Sequence, residues 1–165
     1  MSQTNELEIM ERIALDLEGV EESLASSFNT GAEDFNALIR PLSAAGGKRL
    51  RAQLCLLIAN AGTSVERQRI RIAEAVEMLH LATLIHDDVL DQAEIRRGEE
   101  TIHMHKGNKV AILSGDYLFA KAFQIVSEMP NMKYLQIFSH IITCLVEGEF
   151  MQMEDVYRID QGIER

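Results

Sequence analysis

The chain has 165 residues, of which 47% are hydrophobic and 25% charged, a balance typical of a folded globular domain and unlike a disordered segment. Its formal net charge of -10 argues against nucleic acid as the main partner, because phosphate binding requires a surplus of lysine and arginine. No uninterrupted apolar run approaches the roughly 20 residues that a transmembrane helix needs, so no transmembrane segment is expected.

Nearly every segment repeats its apolar residues with the period of a helix. The first helix is predicted over residues 3–26, where apolar side chains recur at steps of three and four. A short second helix is predicted over 32–42, with a proline near its end. After the glycine pair at 46–47, a third helix is expected to end at Ala61-Gly62.

The second half of the chain continues this pattern. A fourth helix is predicted over about 65–90, and a polar connection follows over 98–108. Two further helices are predicted over 109–129 and 131–160. Because no alternating strand of convincing length is found, the sequence predicts a single all-α domain over residues 1–165, built as a helix bundle.

The sequence contains two cysteines, Cys55 and Cys144, each inside an apolar run. We expect buried free thiols, because no further cysteine could complete a zinc site and a reducing compartment disfavours disulfides. The acidic, amphipathic N-terminus resembles neither a secretory signal peptide nor a basic transit peptide. A cytoplasmic location is therefore expected.

The stretch "LIHDDVLDQAEIRRG" at residues 84–98 places three aspartates at the end of an apolar helix. On a helix, Asp87 and Asp91 lie one turn apart on one face and present hard carboxylate oxygens together. Mg²⁺ prefers such ligands where a substrate phosphate supplies the rest of its coordination. Asp88, about a quarter-turn away, is a further ligand or a support for the ligands. Since carboxylates at a helix C-terminus oppose the macrodipole, a bound cation explains the cluster better than solvation alone.

A second cluster, "AAGGKRLR" at residues 44–51, begins a helix with two glycines and three basic residues. Lys48 and Arg51 are expected to project from one face, where free backbone amides and the positive dipole end add to their charge. The spacing of a Walker loop is absent. These features predict an anion site, although basic residues near a helix start are also common on solvated surfaces.

Arg96 and Arg97 follow the aspartates closely enough to fold back over the same pocket mouth. Three aspartates with three or four cations within about fifty residues predict a site for metal-chelated diphosphate. An alternative is a di-iron site, because Glu77-x-x-His80 and Glu100-x-x-His103 match the spacing of di-iron bundles. The second of these pairs lies in the polar connection, where a long inward-facing helix is not expected, so a di-iron site is disfavoured.

Three segments in this order, "GGKRLR", "HLATLIHDDVLDQAEIRRG" and "AILSGDYLFAKAF", resemble the N-terminal half of the trans-type (head-to-tail) isoprenyl diphosphate synthases, or polyprenyl synthetases. The resemblance covers residues 38–155. Terpene cyclases share an aspartate-rich helix, but the paired "GGKRLR" and "RRG" elements speak against them. The resemblance implies an all-α helix bundle of the isoprenoid synthase type, here truncated to its N-terminal helices. It also implies a prenyltransferase that elongates an allylic prenyl diphosphate with isopentenyl diphosphate.

The resemblance also implies roles for individual residues. Asp87 and Asp91 would hold the Mg²⁺ ions that chelate the allylic diphosphate. Asp88 would lie close by, and Arg96 would contact the same diphosphate. Isopentenyl diphosphate would be bound by Lys48, Arg51, His80 and Arg97.

Two further pairs of residues match family elements. Gln152 and Asp155 match a Gln-x-x-Asp element that faces the cavity in the family. Ala82 and Thr83 stand where side chains set product length in the family, just before the first aspartate. Both are small, which implies an open tunnel and a medium or long polyprenyl product; the alternative is that they are merely close-packing helix residues.

The implied mechanism is electrostatic. Mg²⁺ and the cations stabilise the charge that develops on the departing pyrophosphate, and the double bond of the second substrate captures the allylic cation. In the family the pyrophosphate itself is thought to remove the last proton, so no protein general base is required.

The sequence departs from the family in one respect, since no second Asp-Asp-x-x-Asp follows Asp91. The chain alone is therefore expected to be inactive or nearly so. Two other hypotheses stay open: a non-catalytic fragment or subunit that binds Mg²⁺-diphosphate and associates with a partner chain, and a helical interaction protein with an acidic surface. Because half a bundle should expose apolar faces, a homodimer or higher association is predicted.

Overall fold

The computed structural model describes residues 3–28, 33–44, 47–62 and 65–155. These residues fall into two compact units that divide after Glu128. The first unit contains, in chain order, α1 (Gln3–Ser27), α2 (Glu33–Ala44), α3 (Leu50–Asn60), α4 (Glu66–Leu90), β1 (Ile95–Arg96), β2 (Glu99–Glu100), α5 (Ile102–Lys106) and α6 (Asn108–Ser127). The second unit contains α7 (Met132–Asp155).

Helix α4 is the centre of the first unit, because α1, α3 and α6 all pack against it. It buries residues on several of its faces, so its apolar side chains are not confined to one stripe as they are in a surface helix. The most extensive contact is with α6, which presents small side chains that allow close approach. The buried residues of α6 are Ala111, Ser114, Gly115, Leu118, Ala122, Ile125 and Val126.

Two buried carboxylates tie α1 to α4. Asp16 accepts hydrogen bonds from Arg69 Nε at 3.0 Å and Nη2 at 3.1 Å, and both residues are buried. Glu74 is fully buried and accepts hydrogen bonds from Ser23 and Ser27 of α1. Each buried charge is thus paired and hydrogen-bonded, which is the condition under which burying it is tolerated.

The helices agree with the sequence prediction to within one or two residues at most ends. The main difference in the first half is α2, which continues past Pro41 to Ala44. A proline within a helix removes one backbone hydrogen bond and does not necessarily end it. Gly46 of the predicted glycine pair lies outside the described residues.

The polar connection after α4 has more structure than the sequence indicated. Strands β1 and β2 form an antiparallel hairpin in which Ile95 pairs with Glu100 and Arg96 with Glu99. The two turn residues, Arg97 and Gly98, have φ angles of 56° and 88°. Positive φ at both central positions is the geometry of a tight type I′ hairpin turn, which favours glycine. Strands of two residues are too short for a periodicity to reveal.

Helix α7 is described by itself, and the part of its predicted range beyond residue 155 lies outside the described residues. Many of its apolar side chains are exposed, including Ile137, Ile141, Leu145, Val146 and Phe150. Cys144 on α7 is exposed and Cys55 on α3 is half-buried, and both are free. The prediction that both thiols are buried is therefore wrong, because Cys144 is exposed and Cys55 is only half-buried.

One helix among the described residues, α6, is long and apolar enough to span a membrane by length and composition alone. The core helix of a folded protein passes the same test, and α6 buries seven residues within the first unit. We therefore describe α6 as a core helix.

Candidate functional site

The aspartates lie at the C-terminal end of α4, on the face that the sequence predicted. The backbone N–H of Asp91 donates to the Asp87 carbonyl at 2.8 Å, so the two residues are one helical turn apart. Asp87 is half-buried, whereas Asp91 is the exposed C-cap of the helix. Continuing the face toward the N-terminus reaches Leu84 and then His80, at steps of three and four residues. The aspartates and His80 therefore share one stripe of α4.

Asp88 has a different environment from the other two aspartates. It is buried, and its Oδ1 accepts hydrogen bonds from Arg96 Nε and Nη2, each at 2.7 Å. Charge-assisted bonds of this kind are short and hold the guanidinium in a fixed orientation. The contact links α4 to strand β1 and holds Arg96 in place. Because Asp88 Oδ1 is engaged by the guanidinium, that oxygen is not open to a ligand.

The hairpin turn carries Arg97 to the glycine loop that precedes α3. A Cβ atom added to Gly47 would lie 3.4 Å from Arg97 Nη2. The second arginine of "RRG" and the second glycine of "GGKRLR" are thus neighbours, although they are far apart in the sequence. This proximity places the Arg97 guanidinium beside the loop that carries Lys48.

The start of α3 meets α4 at a pair of predicted site residues. Arg51 Nη1 lies 3.1 Å from His80 Nε2. Since a guanidinium only donates, His80 accepts through Nε2 and carries its proton on Nδ1. This contact joins the basic segment at residues 44–51 to α4, the helix that carries the aspartates.

Burial lowers the pKa of His80, and the charges of Arg51, Arg97 and Arg96 lower it further, while Glu77 acts in the opposite direction. The imidazole is therefore neutral at pH 7, as its acceptor role toward Arg51 requires. The structure thus brings together, along one face of α4, the carboxylates of Asp87 and Asp91 and the contact between His80 and Arg51.

Lys48 is exposed on the loop before α3, and its carbonyl accepts a hydrogen bond from Gln53 Nε2 at 2.5 Å.

Of the two residues predicted to set product length, Ala82 is fully buried and Thr83 is half-buried. The Thr83 hydroxyl donates to the His80 carbonyl at 2.9 Å. Full burial of Ala82 agrees with the alternative that it is a close-packing residue.

Gln152 and Asp155 lie near the end of α7, three residues apart, in the second unit. Gln152 is exposed and Asp155 is half-buried. That this pair faces the substrate cavity stays a prediction.

Comparison with known proteins identifies the family. The sequence matches the family model for polyprenyl synthetase over residues 32–164. The chain belongs to the polyprenyl synthetase family. It is 33% identical over 148 residues to octaprenyl diphosphate synthase of Escherichia coli (strain K12), which covers 90% of this chain and 46% of that protein. It is 38% identical over 149 residues to component 2 of heptaprenyl diphosphate synthase of Geobacillus stearothermophilus, with coverage of 90% and 46%.

Solved structures agree with this assignment. The heptaprenyl diphosphate synthase of Staphylococcus aureus aligns with a TM-score of 0.86 and 29% identity over 92% of this chain and 48% of that chain. A polyprenyl synthase from Caulobacter crescentus CB15, solved with calcium and isoprenyl diphosphate, aligns with a TM-score of 0.85 and 34% identity over 93% and 48%. The predicted membership, as the N-terminal half of such a synthase, and the truncated all-α fold are confirmed. The chain spans about half the length of the curated relatives it matches.

The carboxylates of Asp87 and Asp91 are ligands of the kind that a hard divalent cation takes. Among the described residues, no group of three or more histidine, cysteine, aspartate or glutamate side chains is gathered to hold a metal ion. Asp87 and Asp91 offer two hard oxygen ligands, which suits a Mg²⁺ that takes its remaining ligands from phosphate and water. The di-iron alternative fails because Glu77 is engaged by Arg49 and the Ala52 amide.

Two residues that the sequence reasoning missed, Arg49 and Glu77, form a buried ion pair behind the glycine loop. Arg49 lies inside the "GGKRLR" motif, in which the sequence predicts roles for Lys48 and Arg51 alone. For Glu77 the sequence suggests only the disfavoured role of a metal ligand. A signal was present, because a glutamate at a core position of a helix is almost never buried without a cationic partner.

Proposed function

We propose that this polyprenyl synthetase chain carries the N-terminal part of a Mg²⁺-dependent prenyltransferase. That enzyme would condense isopentenyl diphosphate with an allylic prenyl diphosphate. The observation that supports the proposal most directly is the stripe of α4, which has Asp87 and Asp91 at one end and His80 with Arg51 at the other. A reaction between two diphosphates needs two neighbouring anion sites, one of them metal-assisted, and this stripe offers both.

The carboxylate end of the stripe suits the allylic diphosphate. Asp87 and Asp91 would hold Mg²⁺, which when bound neutralises charge on the leaving diphosphate. Arg96 would contact the same diphosphate, in an orientation set by its two hydrogen bonds to Asp88. In this proposal Asp88 acts through Arg96, and its catalytic role is that of a support.

The cationic end suits isopentenyl diphosphate. This substrate keeps its diphosphate in the product, so no metal is needed there to neutralise a leaving group. Lys48, Arg51 and Arg97 would bind its phosphate oxygens, and His80 would bind alongside Arg51. Cations that are already in position stabilise the negative charge of a diphosphate without any rearrangement of the protein during the reaction. No residue of the chain needs to act as nucleophile or general base in this scheme.

Several finer features belong to the same proposal. Thr83 would border the tunnel for the growing chain, and its small side chain, with the small Ala82 beside it, would permit a medium or long polyprenyl product. Gln152 and Asp155 of α7 would take part in substrate binding. We further propose that residues 1–165 form one domain, which acts in the cytoplasm as a homodimer or a larger assembly.

A second candidate is a subunit that binds Mg²⁺-diphosphate but completes its site only with a partner chain. The exposed apolar side chains favour it, since α3 alone exposes Leu50, Leu54, Leu57 and Ile58 at helical spacing. Apolar stripes of this kind on the surface of a folded unit commonly mark contact surfaces. One relative is itself named as component 2 of its synthase.

Thermal melts with farnesyl diphosphate, with and without Mg²⁺, test the proposal. A ligand at about 100 times its dissociation constant adds about 2.7 kcal/mol of stability, which raises the Tm by several degrees. We expect this shift only when Mg²⁺ and farnesyl diphosphate are both present. A melt that depends on neither would contradict the proposal and favour the acidic interaction protein.

A product assay separates the enzyme from the subunit. The chain is incubated with Mg²⁺, farnesyl diphosphate and radiolabelled isopentenyl diphosphate. Elongated product from the pure chain supports the complete prenyltransferase. Binding without product supports the subunit that requires a partner.

The lowered pKa of His80 gives a proton-linkage prediction. A bound diphosphate offsets the three arginine charges, so the pKa of His80 should rise on binding and the protein should take up protons in the pH window between the free and bound pKa of His80. The affinity for isopentenyl diphosphate should therefore increase as the pH falls through this window. Isothermal titration in buffers of different ionisation enthalpy measures the uptake.

The matched variant for this measurement is His80→Gln, which keeps a hydrogen-bonding side chain but cannot titrate. Subtracting its proton uptake removes the contribution of the ligand's own phosphate groups. Equal uptake by the wild-type chain and the variant would show that His80 does not face the diphosphate.

A further inference from the structure

Glu77 anchors the first turn of α3 from the neighbouring helix. Its carboxylate is buried, and Oε1 accepts a hydrogen bond from the Ala52 amide at 3.0 Å. Ala52 is the third residue of α3, one of the positions whose N–H has no partner within the helix. Arg49, the N-cap residue, makes no side-chain cap hydrogen bond. The cap of α3 is thus supplied by α4.

Arg49 is held in an unusual backbone conformation by two carboxylates. Its φ of 46° lies in the left-handed region, which costs a non-glycine residue about 1–2 kcal/mol. Its guanidinium is buried and contacts Glu21 of α1, with Nε at 2.6 Å and Nη2 at 3.1 Å from the two carboxylate oxygens. Nη1 lies 3.4 Å from Glu77 Oε2. Two helices therefore clamp the residue at the bend of the loop.

The bend separates the two basic residues of the proposed isopentenyl diphosphate site. Lys48 precedes Arg49 directly, and Arg51 follows it by two positions in the first turn of α3. Glu77 therefore contacts the chain on both sides of Leu50, once at the Arg49 side chain and once at the Ala52 backbone. Few arrangements of this loop satisfy both contacts at once.

Glu77 also belongs to the stripe of α4 that carries the rest of the site. It lies three residues before His80, which receives the Arg51 guanidinium, and ten before Asp87. At a rise of 1.5 Å per residue, the loop anchor and the first aspartate are about 15 Å apart along one continuous helix. The loop is therefore fixed relative to the carboxylates by a rigid element.

We propose that Glu77, with Arg49, is a positioning residue that holds Lys48 and Arg51 in the geometry that binds isopentenyl diphosphate. The inference rests on the proposed function. Neither Glu77 nor Arg49 needs to touch the ligand. A misplacement of about 1 Å in such a binding group can cost up to about 100-fold in rate.

The first test measures the dissociation constants of isopentenyl diphosphate and of farnesyl diphosphate with Mg²⁺ for Glu77→Ala. We expect the first to rise about tenfold or more and the second to stay within about twofold, because only the cation loop is released. Glu77→Gln keeps an oxygen acceptor for the Ala52 amide and should recover most of the affinity. A folded Glu77→Ala variant with wild-type affinity for isopentenyl diphosphate would overturn the proposal.

Asp16→Asn is the matched control, since it weakens another buried ion pair between α1 and α4, away from the loop. It should lower the Tm as Glu77→Ala does and leave both dissociation constants unchanged. If Asp16→Asn weakens isopentenyl diphosphate binding equally, loss of stability explains the effect and the positioning role is refuted. Should Glu77→Ala fail to fold, Arg49→Lys takes its place in the same comparison, and Glu77→Gln remains the conservative variant.

Hydrogen–deuterium exchange separates this inference from the proposed function. Faster exchange in Glu77→Ala than in Asp16→Asn, confined to residues 47–53, shows that Glu77 orders the loop whether or not a diphosphate binds. Unchanged exchange there refutes the positioning role. A wild-type chain that binds neither diphosphate contradicts the proposed function, and the exchange result still decides the role of Glu77 in the loop.

Discussion

Replacing Asp87 by alanine is expected to abolish the Mg²⁺-dependent binding of farnesyl diphosphate, with a loss of about 100-fold or more in affinity. The variant leaves Asp91, the exposed C-cap, as the one carboxylate of the pair, so half of the proposed protein ligands to Mg²⁺ are lost. Titration calorimetry at constant Mg²⁺ measures the affinity, and a thermal melt measures the stability.

Glu66→Ala is the matched control, because it removes one exposed carboxylate from the first turn of the same helix. It should leave the affinity unchanged. Asp88→Asn should have an intermediate effect, since it weakens the hold on Arg96 and keeps both proposed metal ligands. Wild-type affinity in Asp87→Ala would refute the metal site, whereas an equal loss in Glu66→Ala would indicate a general effect of charge.

Replacing Gly115 by alanine is expected to destabilise the first unit by about 1–3 kcal/mol, which corresponds to a fall in Tm of several degrees. A Cβ at this position would overlap the imidazole of His86. That ring cannot move away at low cost, because its Nε2 lies 3.1 Å from the Ile112 carbonyl and the ring packs against Phe119 at 5.4 Å between centroids. Since His86 immediately precedes Asp87, weaker binding of Mg²⁺-farnesyl diphosphate should accompany the loss of stability.

Gly148→Ala is the corresponding control, because a Cβ at Gly148 meets nothing within 4 Å. Within a helix this substitution should be neutral or stabilising by roughly 0.5–1 kcal/mol. Chemical denaturation of both variants gives the comparison. An unchanged Tm for Gly115→Ala would mean that α4 and α6 do not approach as closely as the structure indicates.

The sequence predicted most helices well because their limits depend on local chemistry. Ala61-Gly62 ends α3, and the apolar period of three and four residues defines α1 and α4. The hairpin at 95–100 was not predicted, because its strands are shorter than any period. Its turn places Arg97 at positive φ, which the residue type does not announce.

In the candidate site as well, contacts within one segment were predicted from the sequence, and contacts between segments were not. The pairing of Asp87 with Asp91 follows from helical spacing alone, so the sequence predicted it. The contacts of Asp88 with Arg96, and of Glu77 with Arg49, depend on how separate segments pack. Spacing within one segment cannot reveal them, although a glutamate at a core position of α4 was a usable sign that such a partner exists.

The continuity of α4 also has a consequence for how this site could change. One residue inserted between His80 and Asp87 would rotate the aspartates by about 100° away from the face that carries His80. A deletion of one residue would rotate them as far in the other direction. The loop between Asp91 and Arg96 has no such restriction, because a loop can absorb an extra residue at its surface. Length variation at this site is therefore permitted beyond the end of the helix and forbidden within it.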